Sequence, residues 1–435
     1  MIKHILNISL LLGFSLISSL AFGEDLLNVY QLASENDPQI RAAAAARDAS
    51  LEIKSINRAG YLPSVSLNAD ITSQRQQVNN SNTDSFTTNG YSLNLSQAIY
   101  NRDAWLAMRQ SGAEIAKAEA EYQAARQTLV LRVAENYFAV LAAADSLEFA
   151  RAEKIAIGRQ LEQTRQRFNV GLTAITDVHE AQARYDLSVA QEIIAVNELD
   201  NAREQLRTTT SRYLATLQGL QEETPLPTPE PADIEHWVKT ALGQNLDLIA
   251  LEQGVEIALQ NVKRQGGAHH PTLSLVGTHR YSDNSDSNLF GSETENDSLS
   301  LQFNWNLYQG GAISAAARQA GKQLEQTRET LEQQRRQVER QTRSGYASVM
   351  AGISRVQALK QAVVSSQSAL DATQAGQEVG TRTTVDVLNA QQEVFRARRD
   401  HAKARYDYIL NTLRLKQAAG ILADSDLQQI NAWLK

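Results

Sequence analysis

The sequence predicts a mainly helical protein that also contributes strands to a membrane β-barrel and is built from two copies of one unit. Three observations support this prediction. Short stretches alternate apolar and polar residues, helical patterns run far longer than a globular domain uses, and both recur at a spacing of 208 or 209 residues. With 435 residues and 42% hydrophobic residues, the chain has enough apolar side chains for such a fold.

The N-terminus has the composition of a signal peptide. Lys3 precedes an apolar run, and the small residues Ala21 and Gly23 come just before the acidic Glu24. We therefore expect residues 1–23 to be cleaved from an exported protein. A retained membrane anchor is the alternative that this pattern leaves open.

Composition excludes several classes of function. The chain has no cysteine, so it forms no disulfide and uses no thiol chemistry. Its net charge of −7 and its lack of a basic arm argue against a nucleic-acid partner. No later segment reaches the ~18 consecutive apolar residues of a membrane helix, so any membrane-spanning part must consist of strands.

The sequence shows no motif for catalysis or for a cofactor. It has no HExxH, nucleophile elbow or phosphate-binding loop, so we predict that the protein is not an enzyme. His269 and His270 are adjacent, but no third ligand lies at a useful spacing. We therefore predict no metal site there.

Four prolines mark the boundary between the two repeats. They occupy alternate positions in "PLPTPEP", from Pro225 to Pro231, which predicts a stiff, extended linker over residues 219–233. The first repeat then covers residues 24–218 and the second covers residues 234–435. Their likeness is visible in "YLPSVSLNAD" against "HHPTLSLVGT" and in "YSLNLSQAIY" against "LSLQFNWNLY".

Each repeat is predicted to contain two strands. They cover about 61–73 and 89–100 in the first repeat, and about 270–282 and 298–308 in the second. One face of each is apolar and the strands end in aromatic residues such as Tyr100, a pattern typical of a transmembrane β-barrel. A soluble β-sandwich is the alternative. Four strands cannot close a barrel, whereas three copies of the chain supply twelve.

Long helical hairpins follow the strands. Between Ile115 and Leu147 apolar residues recur every three or four positions, as in a coiled-coil seam. The helical run of 68 residues from Asp103 to Val170 would be roughly 100 Å long. Gly171 then supplies the turn of the first hairpin, and Gly380 supplies that of the second.

The sequence also resembles a known family. The stretches "RQLEQTRQRFNVGLTAITDV", "KQAVVSSQSALDA" and "VGTRTTVDVL", with the order of elements and the duplication, resemble the TolC family of outer-membrane efflux and secretion channels over essentially the whole mature chain. The resemblance implies a homotrimer in the outer-membrane lipid of a Gram-negative bacterium. Its 12-stranded β-barrel would continue into the periplasm as a long α-helical barrel.

The resemblance further implies a passive exit duct of a tripartite efflux pump or a type I secretion system. The implied partners are a periplasmic adaptor (membrane fusion) protein, which would dock at the hairpin turns Gly171 and Gly380, and an inner-membrane transporter. The rival interpretation from the residues alone is an exported coiled-coil structural protein or a periplasmic adaptor.

The family closes its periplasmic entrance by polar links between helices near the hairpin turns. By resemblance, Arg382 with Asp177 and Thr176 matches a constricting link. Gln160 matches a second linking position, whereas Gln377 replaces the tyrosine that completes that link in the family. The repeat adds that Arg382 aligns with Thr173, so only the second hairpin carries both a cation and an acid at its turn.

The family also lines its entrance with two acidic residues per subunit. Asp386 matches one of these acids, and Asn389 stands where the second acid is expected. A structural interpretation is open as well. Asp177 and Asp386 each follow a turn, where an acid caps or complements the start of a helix, and Arg382 could be a solvated turn residue.

Overall fold

The computed structural model describes residues 23–77, 83–284, 287 and 291–435, which form nine helices and four strands. In chain order these elements are α1 (Leu26–Asn36), α2 (Pro38–Ala59), β1 (Ser64–Gln77), β2 (Thr83–Tyr100), α3 (Arg102–Asn169), α4 (Ile175–Thr210), α5 (Ile234–Gln244), α6 (Leu246–Gly267), β3 (Thr272–Asp283), β4 (Glu293–Asn304), α7 (Ala312–Glu378), α8 (Thr384–Ala418) and α9 (Asp424–Asn431). The predicted signal peptide lies outside the described residues except for Gly23.

The same order of elements occurs twice. Two short helices, two strands and a long helical hairpin run from α1 to α4 and again from α5 to α8. Between them the chain is extended and attached to the second unit. Leu220 forms a β-bridge with Leu434, and the Tyr408 hydroxyl donates to the Pro227 carbonyl at 2.6 Å.

The helical hairpins contain the core. α3 has 68 residues and α7 has 67, and each packs along the helix that follows it. The largest cluster of buried side chains lies near the middle of α3 and α7. Tyr137 of α3 and Tyr408 of α8 are almost fully buried there. The short helices α1, α5 and α9 also contribute side chains to this cluster. None of the described helices combines the length and apolar character that a membrane-spanning helix requires.

The four strands form one antiparallel sheet in the order β1-β2-β3-β4. The pairing of β2 with β3 joins the two repeats, with Tyr91 opposite Tyr281 and Leu95 opposite Gly277. β1 and β4 are its edges. The apolar face is exposed in the single chain, as shown by Leu67 at 68% and Leu299 at 74%.

The bounds of β1, β2 and β4 differ from those predicted. β1 and β2 extend beyond the apolar alternation, with Gln77 opposite Thr83, because the backbone ladder needs no apolar side chain. β4 covers Glu293–Asn304 rather than about 298–308. It ends there because the next pair would set Trp305 opposite Pro271, which has no N–H to donate. Trp305 Nε1 instead donates to the His269 carbonyl at 2.9 Å.

Candidate functional site at the hairpin tips

Both hairpins turn with the same backbone geometry. The Gly171 N–H donates to the Phe168 carbonyl at 2.9 Å, and the Leu172 N–H donates to the Arg167 carbonyl at 2.8 Å. The second hairpin repeats this pattern around Gly380. The φ angles of Gly171 and Gly380 are 78° and 81°, a left-handed conformation that only glycine adopts without strain. This requirement accounts for the glycine that recurs at the turn of each hairpin.

The two returning helices begin differently. At the start of α8, the Thr383 hydroxyl accepts from the Asp386 N–H at 3.2 Å, and Asp386 Oδ2 accepts from the Thr383 N–H at 2.9 Å. This capping box lowers the pKa of the Asp386 carboxyl, mainly through the backbone hydrogen bond, with a smaller effect of the Arg382 charge. At the start of α4, Ala174 offers no side-chain cap, and Asp177 accepts from the Thr173 hydroxyl.

Arg382 is exposed beside the second turn. Its backbone N–H donates to the Gly376 carbonyl at 3.2 Å. Within the part of the chain that the structure describes, its guanidinium takes part in no hydrogen bond or ion pair with Asp177 or Thr176. Among the described residues, its charge acts on Asp386.

The two predicted glutamines lie in different environments. Gln377 is buried and its Nε2 donates to the Thr384 hydroxyl at 3.1 Å, which ties the end of α7 to the start of α8. Gln160 is also buried, but its Nε2 has no hydrogen-bond partner among the described residues of the single chain. A buried donor without a partner costs ~1–3 kcal/mol, so this amide is unfavourably placed in the single chain.

Asn389 lies in a contact between the two hairpins that the sequence did not indicate. Arg184 of α4 donates to Asn389 Oδ1 at 3.0 Å and to Gln392 Oε1 at 3.3 Å. The repeat aligns Arg184 with Glu393, an acid, so the internal symmetry gave no signal for it.

A second ionic contact joins the hairpins further from the tips. Arg399 of α8 lies 3.4 Å from Glu153 of α3, and both border a cavity of about 250 Å³ that Arg184 also lines. Burial raises the pKa of the Glu153 carboxyl and outweighs the effect of Arg399. The tips thus combine fixed charges, polar links and exposed apolar residues such as Val170 and Leu172, with no nucleophile and base paired for catalysis among the described residues.

His269 and His270 lie between α6 and β3. They belong to no group of three potential metal ligands in the described parts of the chain.

Comparison with known proteins identifies the family. Residues 29–212 and 237–421 match the family described as outer membrane efflux protein. The chain belongs to this family. It is 38% identical to the outer membrane protein TolC of Vibrio cholerae, a match that covers 100% of this chain and 99% of TolC. It is also 30% identical to the alkaline protease secretion protein AprF of Pseudomonas aeruginosa, over 95% of this chain and 88% of AprF.

The fold of this outer membrane efflux protein also matches a solved structure. The CmeC outer membrane channel of Campylobacter jejuni superposes with a TM-score of 0.79 at 17% identity, covering 95% of this chain and 90% of CmeC. The predicted fold class, mainly helical with two repeats and four strands per chain, is confirmed. The protein is an outer-membrane efflux or secretion channel of Gram-negative bacteria and not an enzyme. TolC-family channels are trimers that work with efflux pumps.

Proposed function

We propose that three copies of this chain form a passive exit duct whose periplasmic entrance is closed by polar links at the hairpin tips. The observation that carries the proposal is the four-stranded sheet with two open edges and an exposed apolar face. In lipid, an open edge leaves backbone groups unsatisfied at several kcal/mol each. Pairing β4 of one copy with β1 of the next removes both edges, and three copies give a 12-stranded barrel.

The long helices would continue this barrel into the periplasm. Three copies supply six hairpins and therefore twelve long helix segments. Since α3 begins two residues after β2 and has 68 residues, the turns at Gly171 and Gly380 lie roughly 100 Å from the sheet. The entrance would then lie at the hairpin tips.

The gate residues would act between hairpins. The Arg382 guanidinium makes no hydrogen bond or ion pair within the described chain and acts only weakly on the nearby Asp386, so it would be able to bind Asp177 and Thr176 of an adjacent hairpin in the trimer. By resemblance to the family, Gln160 and Gln377 would form a second group of polar contacts, which requires both side chains to turn out of the buried positions that they occupy in the single chain. Such surface links are individually weak, so three symmetric copies bias the entrance toward closure without locking it.

Asp386 and Asn389 would set the charge at the entrance. Three Asp386 carboxylates around a narrow opening attract cations. Asn389 adds no charge and is bound by Arg184. We therefore expect a cation preference weaker than that of a ring with two acids per chain.

The exposed hairpin turns are the proposed docking sites for a periplasmic adaptor (membrane fusion) protein, which would join the duct to an inner-membrane transporter. Val170, Leu172 and Val379 are 70%, 69% and 75% exposed at these turns. Exposed apolar residues grouped at a polar tip favour a protein partner. The exported cargo would be drugs, proteins or both.

Reconstitution into planar lipid bilayers tests the proposal. The purified protein should migrate as a heat-modifiable trimer, fractionate with the outer membrane and give discrete single-channel currents. Recovery as a soluble protein after lysis without detergent, together with absence of channels, would contradict it.

A further inference from the structure

We propose a binding site for a divalent transition metal on the β3–β4 hairpin, formed by His279, Glu295 and Asp297. This site lies at the sheet end of the molecule, far from the entrance. His279 and Asp297 are directly opposite each other in the strand register, and Glu295 lies two residues before Asp297 on the same face of β4. All three side chains therefore converge on one side of the hairpin.

The spacing of the ligand atoms suits a metal ion. His279 Nδ1 lies 2.8 Å from Asp297 Oδ1, and one ligand atom from each of the three residues lies within 4.8 Å of the others. Ligand atoms around a tetrahedral zinc ion are about 3.3–3.6 Å apart, given bonds of ~2.0–2.2 Å. The two carboxylates are exposed, so a small rotation of their side chains brings the separations of the ligand atoms into the range found around zinc.

A second contact orients the imidazole for this role. His279 Nε2 lies 3.4 Å from the Tyr91 hydroxyl on β2, and the two rings pack with centroids 5.7 Å apart. Histidines that bind metals generally engage their other ring nitrogen in this way, which fixes the tautomer and the ring orientation. A metal at Nδ1 would replace the contact of this nitrogen with Asp297, and the neutral imidazole would then carry its single proton on Nε2, which faces the Tyr91 hydroxyl.

The ligand set favours zinc or a similar ion over calcium or magnesium. Hard cations select oxygen ligands alone, whereas imidazole suits zinc, nickel and copper. Three protein ligands leave one position of a tetrahedral site for water. The bound metal would link β3 to β4 just beyond Leu299, where the apolar row of β4 begins.

The chain supplies its own controls. Glu293 lies on the same face of β4 but is held by the Tyr281 hydroxyl and stands outside the triad. His269 and His270 form a vicinal pair with no carboxylate cluster in the described chain. If negative surface charge alone bound the metal, the zinc affinity would depend on Glu293. If any histidine were sufficient, the zinc affinity would depend on His269 and His270.

Calorimetric titration of the metal-free, full-length protein in detergent with Zn²⁺ tests the site. We expect one zinc per chain, a loss of affinity of at least about tenfold in His279→Gln and Asp297→Asn, and a smaller loss in Tyr91→Phe. Glu293→Gln and the double variant His269→Gln/His270→Gln should bind as the wild type does. Ca²⁺ should bind at least about 100-fold more weakly than Zn²⁺.

Three results would overturn the site. These are unchanged zinc affinity in His279→Gln, an equal loss in Glu293→Gln, or a loss of the zinc signal with the vicinal histidines. Migration as a heat-modifiable trimer, recorded for every variant without metal, ensures that each comparison is made on folded protein.

Discussion

The capping box with Thr383 holds the Asp386 carboxylate at the start of α8. Its pKa in the folded protein lies below the ordinary value of 3.8. The hydrogen bonds of the carboxylate therefore stabilise the tip fully above pH 3.8, and this contribution is lost as the pH falls through the lower, folded value. Acid should therefore loosen the second hairpin tip at the start of α8, where this capping box lies.

We predict that amide-exchange protection near Thr384 decreases when the pH falls below about 3.8, after correction for the intrinsic exchange rate. In Asp386→Asn the protection should already be lower at neutral pH and should change less with acid. Mass spectrometry of exchanged peptides measures both. Equal pH dependence in the two proteins would show that the capping box does not hold the tip.

Asn389 leads to a second prediction, because Arg184 already lies within hydrogen-bond distance of its side chain. Asn389→Asp would form an ion pair with Arg184, so it should increase block of the channel by a trivalent cation only slightly. Asn389→Asp combined with Arg184→Ala leaves three uncompensated carboxylates and should lower the blocking concentration severalfold. Titration of the cation against single-channel current, with Arg184→Ala alone as the control, separates these outcomes. If Asn389→Asp alone increased block by the trivalent cation as much as the double variant does, Arg184 would not neutralise the new carboxylate.

For individual residues at the hairpin tips, the sequence was sufficient to predict local caps but not contacts between distant parts of the chain. A helix-start acid at Asp386 followed from its position after a glycine turn, since local geometry fixes a cap. The contact of Arg184 with Asn389 joins positions 205 residues apart on different hairpins, and local patterns do not report such packing. The environments of Gln160 and Gln377 likewise depend on tertiary structure.

At the scale of elements, the hairpin turns depend on two glycines in the left-handed conformation. A Cβ at Gly380 meets no atom within 4 Å, so a substitution there is disfavoured by its φ of 81° and not by crowding. Helix and hairpin lengths were predictable because coiled-coil periodicity and isolated glycines mark them directly. Strand ends were predicted less well, since backbone pairing continues through polar residues such as Gln77.

We predict that Gly380→Ala destabilises the tip by about 1–2 kcal/mol, the cost of a left-handed conformation in an L-residue. Gly112 is the matched control, because it lies inside α3 and its Cβ position is also open. Gly112→Ala should stabilise its helix by about 0.5–1 kcal/mol. Exchange protection of peptides around each site gives the local free energies, and the same sign of effect at both glycines would contradict the turn assignment.

At the scale of the whole molecule, two features of the single chain are incomplete. The sheet has two open edges, and the exposed guanidinium of Arg382 makes no hydrogen bond or ion pair within the described chain. Threefold assembly would satisfy both, by closing the barrel at one end and linking neighbouring hairpins at the other. A duct closed at its entrance follows from this arrangement.

The single-channel conductance of wild-type protein and of Arg382→Ser in planar bilayers tests whether Arg382 closes the entrance of a trimeric duct. The control is Arg396→Ser, which removes an exposed cation that pairs with Glu393 within α8. We expect small wild-type currents, a severalfold increase in conductance in Arg382→Ser and no change in Arg396→Ser. Equal conductance in all three proteins would contradict closure by Arg382, and absence of channels in all three would contradict the duct itself.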